Sequence, residues 1–396
     1  MRKIYSCILL ASVAVLCLFS SCRGDEYEVL WAESQAVTEG RITQIYKGFF
    51  LLNEGNMGSN KASLDYFDYE SGMYYRDIFP TLNPTITHNL GDVGNDIKVY
   101  GNKLYAVINC SHLVEVMDLE TGEHQSTISI TNCRYIVFKD GYAYVSSYNG
   151  PVQIDPNSPL GTVVKIDTTD MKVVGRCTVG YQPEEMVVDG DKLYVANSGG
   201  YRVPNYDHTV SVIDLKTFTE TKKIDVGINL HRMKMDGNGL LYVSSRGDYK
   251  NVGSKTFVID TRTNEVVKTL NLPNSNMALA DDRLYIYSVE WSHLTASNTV
   301  SYAVYNTDTQ EVETRNFITD GTEKHIKVPY GIAVNTETDE IFTTDAKDYV
   351  TPGTLYCFDQ QNGRKKWSVV TGDIPAHIAF TPRRLKTLYL LEKNIR

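Results

Sequence analysis

The chain lacks the usual marks of an enzyme. It has no GxSxG, HExxH or Walker pattern, and its eight histidines are scattered singly, which leaves no nucleophile elbow, no zinc-peptidase helix and no phosphate-cradling loop. Basic residues are also sparse. No basic run exceeds three residues and the net charge is −9, a surface that repels phosphate backbones and argues against nucleic acid as a partner. The Ala and Leu richness of long helices is missing, while 27 Tyr and 12 Phe in 396 residues favour strands over helical bundles. None of the seven cysteines stands in a CxxC or Cys/His spacing of the kind a structural zinc site uses. No cofactor signature is present.

One apolar run stands at the N-terminus. Arg2 and Lys3 precede Ile8 to Phe19, a stretch too short to span a bilayer well and of the right length for a signal-peptide core. It ends Leu18-Phe19-Ser20-Ser21-Cys22, which resembles a bacterial lipobox. Residues 1–21 then form a lipoprotein signal peptide, and Cys22 carries the acyl chains that give stable membrane anchoring. Arg23-Gly24-Asp25-Glu26-Tyr27-Glu28 resembles the surface-export signal of Bacteroidetes lipoproteins. The expected address is the outer membrane, lipid-anchored and facing the exterior. Residues 22–43 read as a flexible tether. Of the four other cysteines beyond the signal, Cys110 and Cys133 are placed for a bridge between adjacent repeats; buried free thiols are the alternative.

The body of the chain repeats. A pair of β-formers followed by an acidic or amide residue and a turn recurs as Phe67-Asp68, Met117-Asp118, Ile166-Asp167, Ile213-Asp214, Ile259-Asp260, Tyr305-Asn306 and Phe358-Asp359, with successive copies 46 to 53 residues apart. A second motif, such as Lys103-Leu104-Tyr105-Ala106-Val107 or Lys192-Leu193-Tyr194-Val195, precedes it after a tight Gly/Asn/Asp turn. Four antiparallel strands at this period make one propeller blade, and a single blade cannot bury both of its faces. The expected fold is all-β, a seven-bladed β-propeller over residues 44–383. Ile374-Pro375-Ala376-His377-Ile378-Ala379-Phe380 matches the innermost strand at Val328 to Val334, while the first copy begins at its second strand with Phe49-Phe50-Leu51-Leu52. The C-terminal strand should therefore complete the N-terminal blade and close the ring. Residues 384–396 are expected to be peripheral, although Thr387 to Leu391 also reads as a strand.

One face of such a ring collects the starts of the innermost strands and the loops between second and third strands. The starts read Asn95-Asp96, Arg134-Tyr135, Glu184-Glu185, His231-Arg232, Asn276-Met277, Tyr330 and His377, and the loops supply Tyr148, Tyr201, Arg202, Arg246, Tyr249, Trp291 and Tyr349. Amides, arginines and flat rings converge there, the mixture that holds a polar ligand with flat surfaces. From this set the candidate ligand contacts are Asn95, Arg134, Tyr148, Glu184, Tyr201, Arg202, His231, Arg232, Arg246, Tyr249, Trp291, Tyr330, Tyr349 and His377. His231 and His377 would meet in the channel with Glu184 and Arg232, a set able to do acid and base chemistry or to hold a metal. The reading adopted is that they line a polar funnel, with no catalytic or metal role.

The stretches GFFLLNEGNMGSNKASLDYFD (48–68), GYQPEEM (180–186), YVANSGGYRVPNYD (194–207), INLHRMKMD (228–236) and TDAKDYVTPG (344–353) resemble Bacteroidetes surface-lipoprotein propellers of the YncE-like superfamily, and within it the BtuG cobalamin-binding group. The resemblance implies a nonenzymatic protein that captures cobalamin or a related corrinoid outside the cell and passes it to a TonB-dependent outer-membrane transporter. A disc edged with amides suits the chemistry of the face. A glycan-capture protein, or a lactonase or lyase on the same fold, are the alternatives.

Overall fold

The computed structural model describes residues 32–86, 88–292 and 297–388; the expected signal peptide and Cys22 lie outside them. Seven sheets stand around one axis. Six are four-stranded and contiguous in sequence, and their innermost strands are Gly94–Tyr100, Cys133–Lys139, Pro183–Asp189, Leu230–Met235, Asn276–Ala280 and Pro329–Asn335, for blades 2 to 7. Blade 1 is built from both ends of the chain. Gly48–Asn53 pairs antiparallel with Pro375–Thr381, Phe49 facing Phe380 and Leu51 facing Ile378. Each innermost strand touches the next around the ring, and Pro375–Thr381 touches those of both blade 7 and blade 2. The ring is closed as the sequence predicted.

The burial pattern follows from this stacking. Side chains alternate across a strand, so Phe49 and Leu51 enter an apolar cluster with Phe342, Leu355 and Trp367 of blade 7. Phe50 and Leu52 enter one with Ile97, Leu104 and Ile108 of blade 2. Both faces of a second strand are covered, and all six residues of Gly48–Asn53 are buried. The outermost strands face water along their edge and read accordingly: His124–Ser129 and Thr219–Asp225 each bury a single residue.

The repeated acidic residue has a structural job. The Oδ1 atoms of Asp118, Asp214 and Asp359 each accept two backbone N–H groups of the following turn, at 2.9 to 3.0 Å. Asn306 does the same for Asp308 and Thr309, and Asp68, Asp167 and Asp260 each accept one. These side chains cap the hairpin between third and fourth strands and satisfy donors the ladder leaves over. On that same end Gly101 and Gly190 take φ of 62° and 57° in the first-to-second hairpins, which a glycine adopts at little cost.

Two features differ from the sequence expectation, and of the two readings of Cys110 and Cys133 the free thiols hold. Glu33–Ala36, assigned to the tether, forms a fifth strand on blade 1 against Met73–Arg76, and Arg41 reaches Glu340 at 2.5 Å. The backbone N–H groups of Ile45 and Tyr46 donate to Glu337 at 2.9 Å, so residues 33–46 are held by the outermost strand of blade 1 and the first hairpin of blade 7. Past 383, Leu385 and Leu388 are buried in a cluster that includes Leu82 of the short helix α1 (Ile78–Leu82), and Arg384 binds Asp68 at 2.6 Å; apolar spacing outweighs terminal position there. Cys110 and Cys133 are free thiols, and the Cys133 S–H donates to the Leu113 carbonyl at 3.2 Å. Among the described residues no helix is long and apolar enough to cross a membrane.

Candidate ligand-binding face and axial channel

The innermost strands all start at one end, and there the ladder slips. Pairing jumps from Pro183 to Met186, from Leu230 to Met233 and from Pro329 to Ile332, with similar shifts beside Asn95, Arg134 and Ala376. A bulge breaks the two-residue alternation and re-aims side chains. Consecutive residues such as Arg134 and Tyr135, or His231 and Arg232, therefore both reach the axis, which a regular strand would forbid.

Glu184 organises one side of the channel. It is fully buried, and its Oε2 accepts from Arg134 Nε and Nη2 at 3.1 and 3.0 Å while Oε1 accepts from the Tyr148 hydroxyl at 2.6 Å and from Arg246 at 3.4 Å. Burial alone would raise its carboxyl pKa, but the guanidinium groups of Arg134 and Arg246 outweigh it and hold it below the usual carboxylate range. Arg134 also lies 5.0 Å from the Tyr148 ring, and its carbonyl accepts from Asn95 at 2.7 Å. The group is a satisfied ionic latch joining blades 2, 3, 4 and 5. Asn95, Tyr148 and Glu184 are spent within it.

Across the axis, Glu54 accepts from the Tyr330 hydroxyl at 2.8 Å and stands 3.3 Å from His377 Nε2. Between the two groups sits Tyr135, whose ring is 6.1 Å from His231, 6.4 Å from His377 and 5.2 Å from the Arg232 guanidinium. Burial pushes both histidines below their ordinary value; neighbouring arginines add to the effect at His231, while at His377 the Glu54 carboxylate opposes burial without overcoming it. His231 and His377 do meet, as expected, around Tyr135. Among the described residues no group of three His, Cys, Asp or Glu side chains is disposed to hold a metal.

The loops above the channel are less polar. Among the described residues fifteen large hydrophobic side chains are exposed, and nine of them belong to this one face, among them Met57, Ile154, Val203 and Val350 together with Tyr249, Trp291 and Tyr349 at 58, 53 and 41% exposure. Tyr349 crosses Tyr330 edge-on at 6.1 Å, Tyr201 does the same to Tyr148 at 6.3 Å, and Arg202 stacks on Tyr181 at 3.5 Å. Trp291 is carried by something the sequence did not disclose: Arg283–Ser292 and Ser297–Asn306 are paired strands of ten residues, where the other second strands have six. Four extra residues raise the ribbon by about 13 Å. A polar groove of about 580 Å³ lies instead at the opposite end, between blades 6 and 7, beside Asp281, Asp339 and Gln360.

The predicted residues thus divide into a buried latch (Asn95, Arg134, Tyr148, Glu184, Arg246), an axial cluster (His231, Arg232, Tyr330, His377) and an outer rim (Tyr201, Arg202, Tyr249, Trp291, Tyr349). Tyr135 and Glu54 stand in segments the sequence marks but nothing there ranks them above their neighbours. Tyr287, whose hydroxyl donates to the Tyr330 carbonyl, reads as an ordinary strand residue.

No curated protein matches the chain in sequence. The model of a family described as a domain of unknown function, DUF5074, matches residues 47–380. Among solved structures, a quinonprotein alcohol dehydrogenase-like protein from Bacteroides thetaiotaomicron is similar with a TM-score of 0.60 and 14% identity, over 85% of this chain and 78% of that one. Hydrazine synthase of Kuenenia stuttgartiensis gives 0.57 and 13%, over 73% and 90%, and the computationally designed protein Ika8 gives 0.53 and 11%, over 87% and 93%. At these identities the likeness is one of fold.

Proposed function

The chain belongs to the DUF5074 family, and from that premise we propose that it is a surface-anchored binding protein that captures cobalamin or a related corrinoid on its loop-bearing face without transforming it. The observation that carries this reading is the concentration of exposed apolar and aromatic side chains on one end, above a channel rich in hydrogen-bonding groups. A broad disc with apolar faces and an amide edge needs that combination. The resemblance of the same loops to the BtuG group supports the choice of ligand, and a TonB-dependent outer-membrane transporter is the proposed acceptor.

Because a few buried aromatic anchors dominate large interfaces, Trp291→Ala or Tyr349→Ala should cost about 2 kcal/mol, roughly thirtyfold in Kd. Titration calorimetry of the mature protein with cobalamin measures it, and substitutions at Gly101 or Thr121 on the opposite face should leave affinity unchanged. No heat, no change in the visible spectrum and no thermal stabilisation with cobalamin would refute the capture reading. Conversion of the corrinoid that is lost in His231→Gln would replace it with an enzyme.

Anchoring is tested separately. Cys22→Ser should release a soluble protein that takes up no palmitate, and protease added to intact cells should digest the wild type. Wild-type palmitate labelling of the variant would remove Cys22 as the lipid site, and protection until the outer membrane is broken would place the domain on the periplasmic side.

A further inference from the structure

One cation in the channel has no acceptor. Arg232 is 7% exposed, and its Nε is buried with no hydrogen-bond partner. The two carboxylates whose charge acts on it, Glu185 and Glu54, are engaged elsewhere. Glu185 accepts from Lys234 at 2.5 Å and from the Met233 N–H at 2.8 Å, while Glu54 is held by Tyr330 and His377. Leaving a buried guanidinium without an acceptor is costly, so such groups are normally paired.

A second donor stands beside it. The Tyr135 hydroxyl has His231 Nε2 as its partner at 2.9 Å, and burial keeps that phenol neutral. The O–H can donate to Nε2, and in that tautomer the neutral imidazole carries its proton on Nδ1. That Nδ1–H is buried and also without a partner. The charges agree with the donors. Lys234 is matched by Glu185 and Lys98 by Asp96, which leaves Arg134, Arg232 and Arg246 facing only Glu184 and Glu54, one negative charge short.

We propose that the axial channel binds a small oxyanion, a carboxylate or a phosphate group, between the Arg232 guanidinium and the His231 Nδ1–H. The planar fork of the guanidinium suits two oxygens of either group, and one negative charge brings the cluster to neutrality. The site is independent of the corrinoid reading: failure of cobalamin to bind leaves it standing, and its own failure leaves the rim untouched.

The test uses the mature wild-type chain titrated with sodium acetate and, separately, sodium phosphate, each against sodium chloride at matched ionic strength. Saturable thermal stabilisation is expected with at least one of them, accompanied by a shift of the His231 ring nitrogens in long-range nitrogen NMR. Arg232→Gln should weaken binding at least tenfold, with Arg232→Lys intermediate because it keeps the charge and loses the fork. A response to acetate alone assigns a carboxylate, and a response to phosphate alone assigns a phosphate. No saturable response to either anion, or an equal response in Arg232→Gln, overturns the proposal and leaves Arg232 hydrated by channel water. The NMR shift needs no variant, so misfolding of a mutant cannot rescue the idea.

Discussion

Glu184→Ala should destabilise the propeller by about 3–5 kcal/mol, since removing one partner of a buried ionic group leaves the others charged and unpaired. Two guanidinium groups lose their acceptor at once, because Arg134 and Arg246 both end on Glu184. The Tyr148 hydroxyl loses its acceptor too. Glu184→Gln keeps a carbonyl for Tyr148 and loses the charge, so it should fall between alanine and wild type. Urea unfolding monitored by tyrosine fluorescence gives the midpoints. The pH dependence has a definite sign. A carboxyl whose folded pKa is depressed adds stability that is fully present above its unfolded value of 4.5 and is lost as pH falls through the folded value. The wild type should therefore lose its margin over Glu184→Gln in that acid window, and a margin that does not change with pH would contradict the latch. A midpoint for Glu184→Ala within experimental error of wild type would show that the three residues are independent.

Truncation before Ile374 should have the larger effect and abolish the closed monomer. It removes the innermost strand of blade 1, stripping the hydrogen-bond partner from Gly48–Asn53, and it removes Phe380, which contacts Phe49 and Phe342 with ring centroids 6.0 Å away and Tyr46 at 5.2 Å. An unpaired strand edge bearing Phe49, Phe50, Leu51 and Leu52 is a template for association between chains. The expected result is aggregation on size-exclusion chromatography with no cooperative melt. Truncation after Pro382 is the informative contrast. It leaves the ring closed but removes Leu385 from its cluster and Arg384 from Asp68, so a folded monomer weakened by about 1.5–3 kcal/mol per buried leucine is expected. A monomeric, normally melting product of the longer deletion would require a different closure.

Some of the candidate site was legible before any coordinates. Two-sided apolar strands such as Phe49 to Leu52 announce burial on both faces, and the matching strand at 374–380 announces where the ring must close. The same repeat places Arg134, Glu184 and His231 at equivalent strand starts, and so on one end of the molecule. The sequence could not separate the satisfied members of that set from the unsatisfied ones. Arg134 and Arg232 stand one register position apart on innermost strands two blades apart, yet the first is bound to Glu184 and the second has its Nε buried with no acceptor. Tyr249 and Tyr148 both read as loop tyrosines, but one is exposed and the other is buried on the latch.

What the sequence by itself determined is what depends on local period and turn chemistry. Asp and Asn caps after the third strands and glycine hairpins on one end follow from residues within about ten positions of each other, and the seven strand units and the split first blade follow from comparing one such copy with the next. What only the tertiary structure decided is which side chains meet at the axis. Those contacts join residues 50, 62, 96 and 276 positions apart. They also depend on bulges that turn consecutive residues the same way. A strand pattern carries no record of a bulge, and a charge carries none of the partner that the neighbouring blade brings to it.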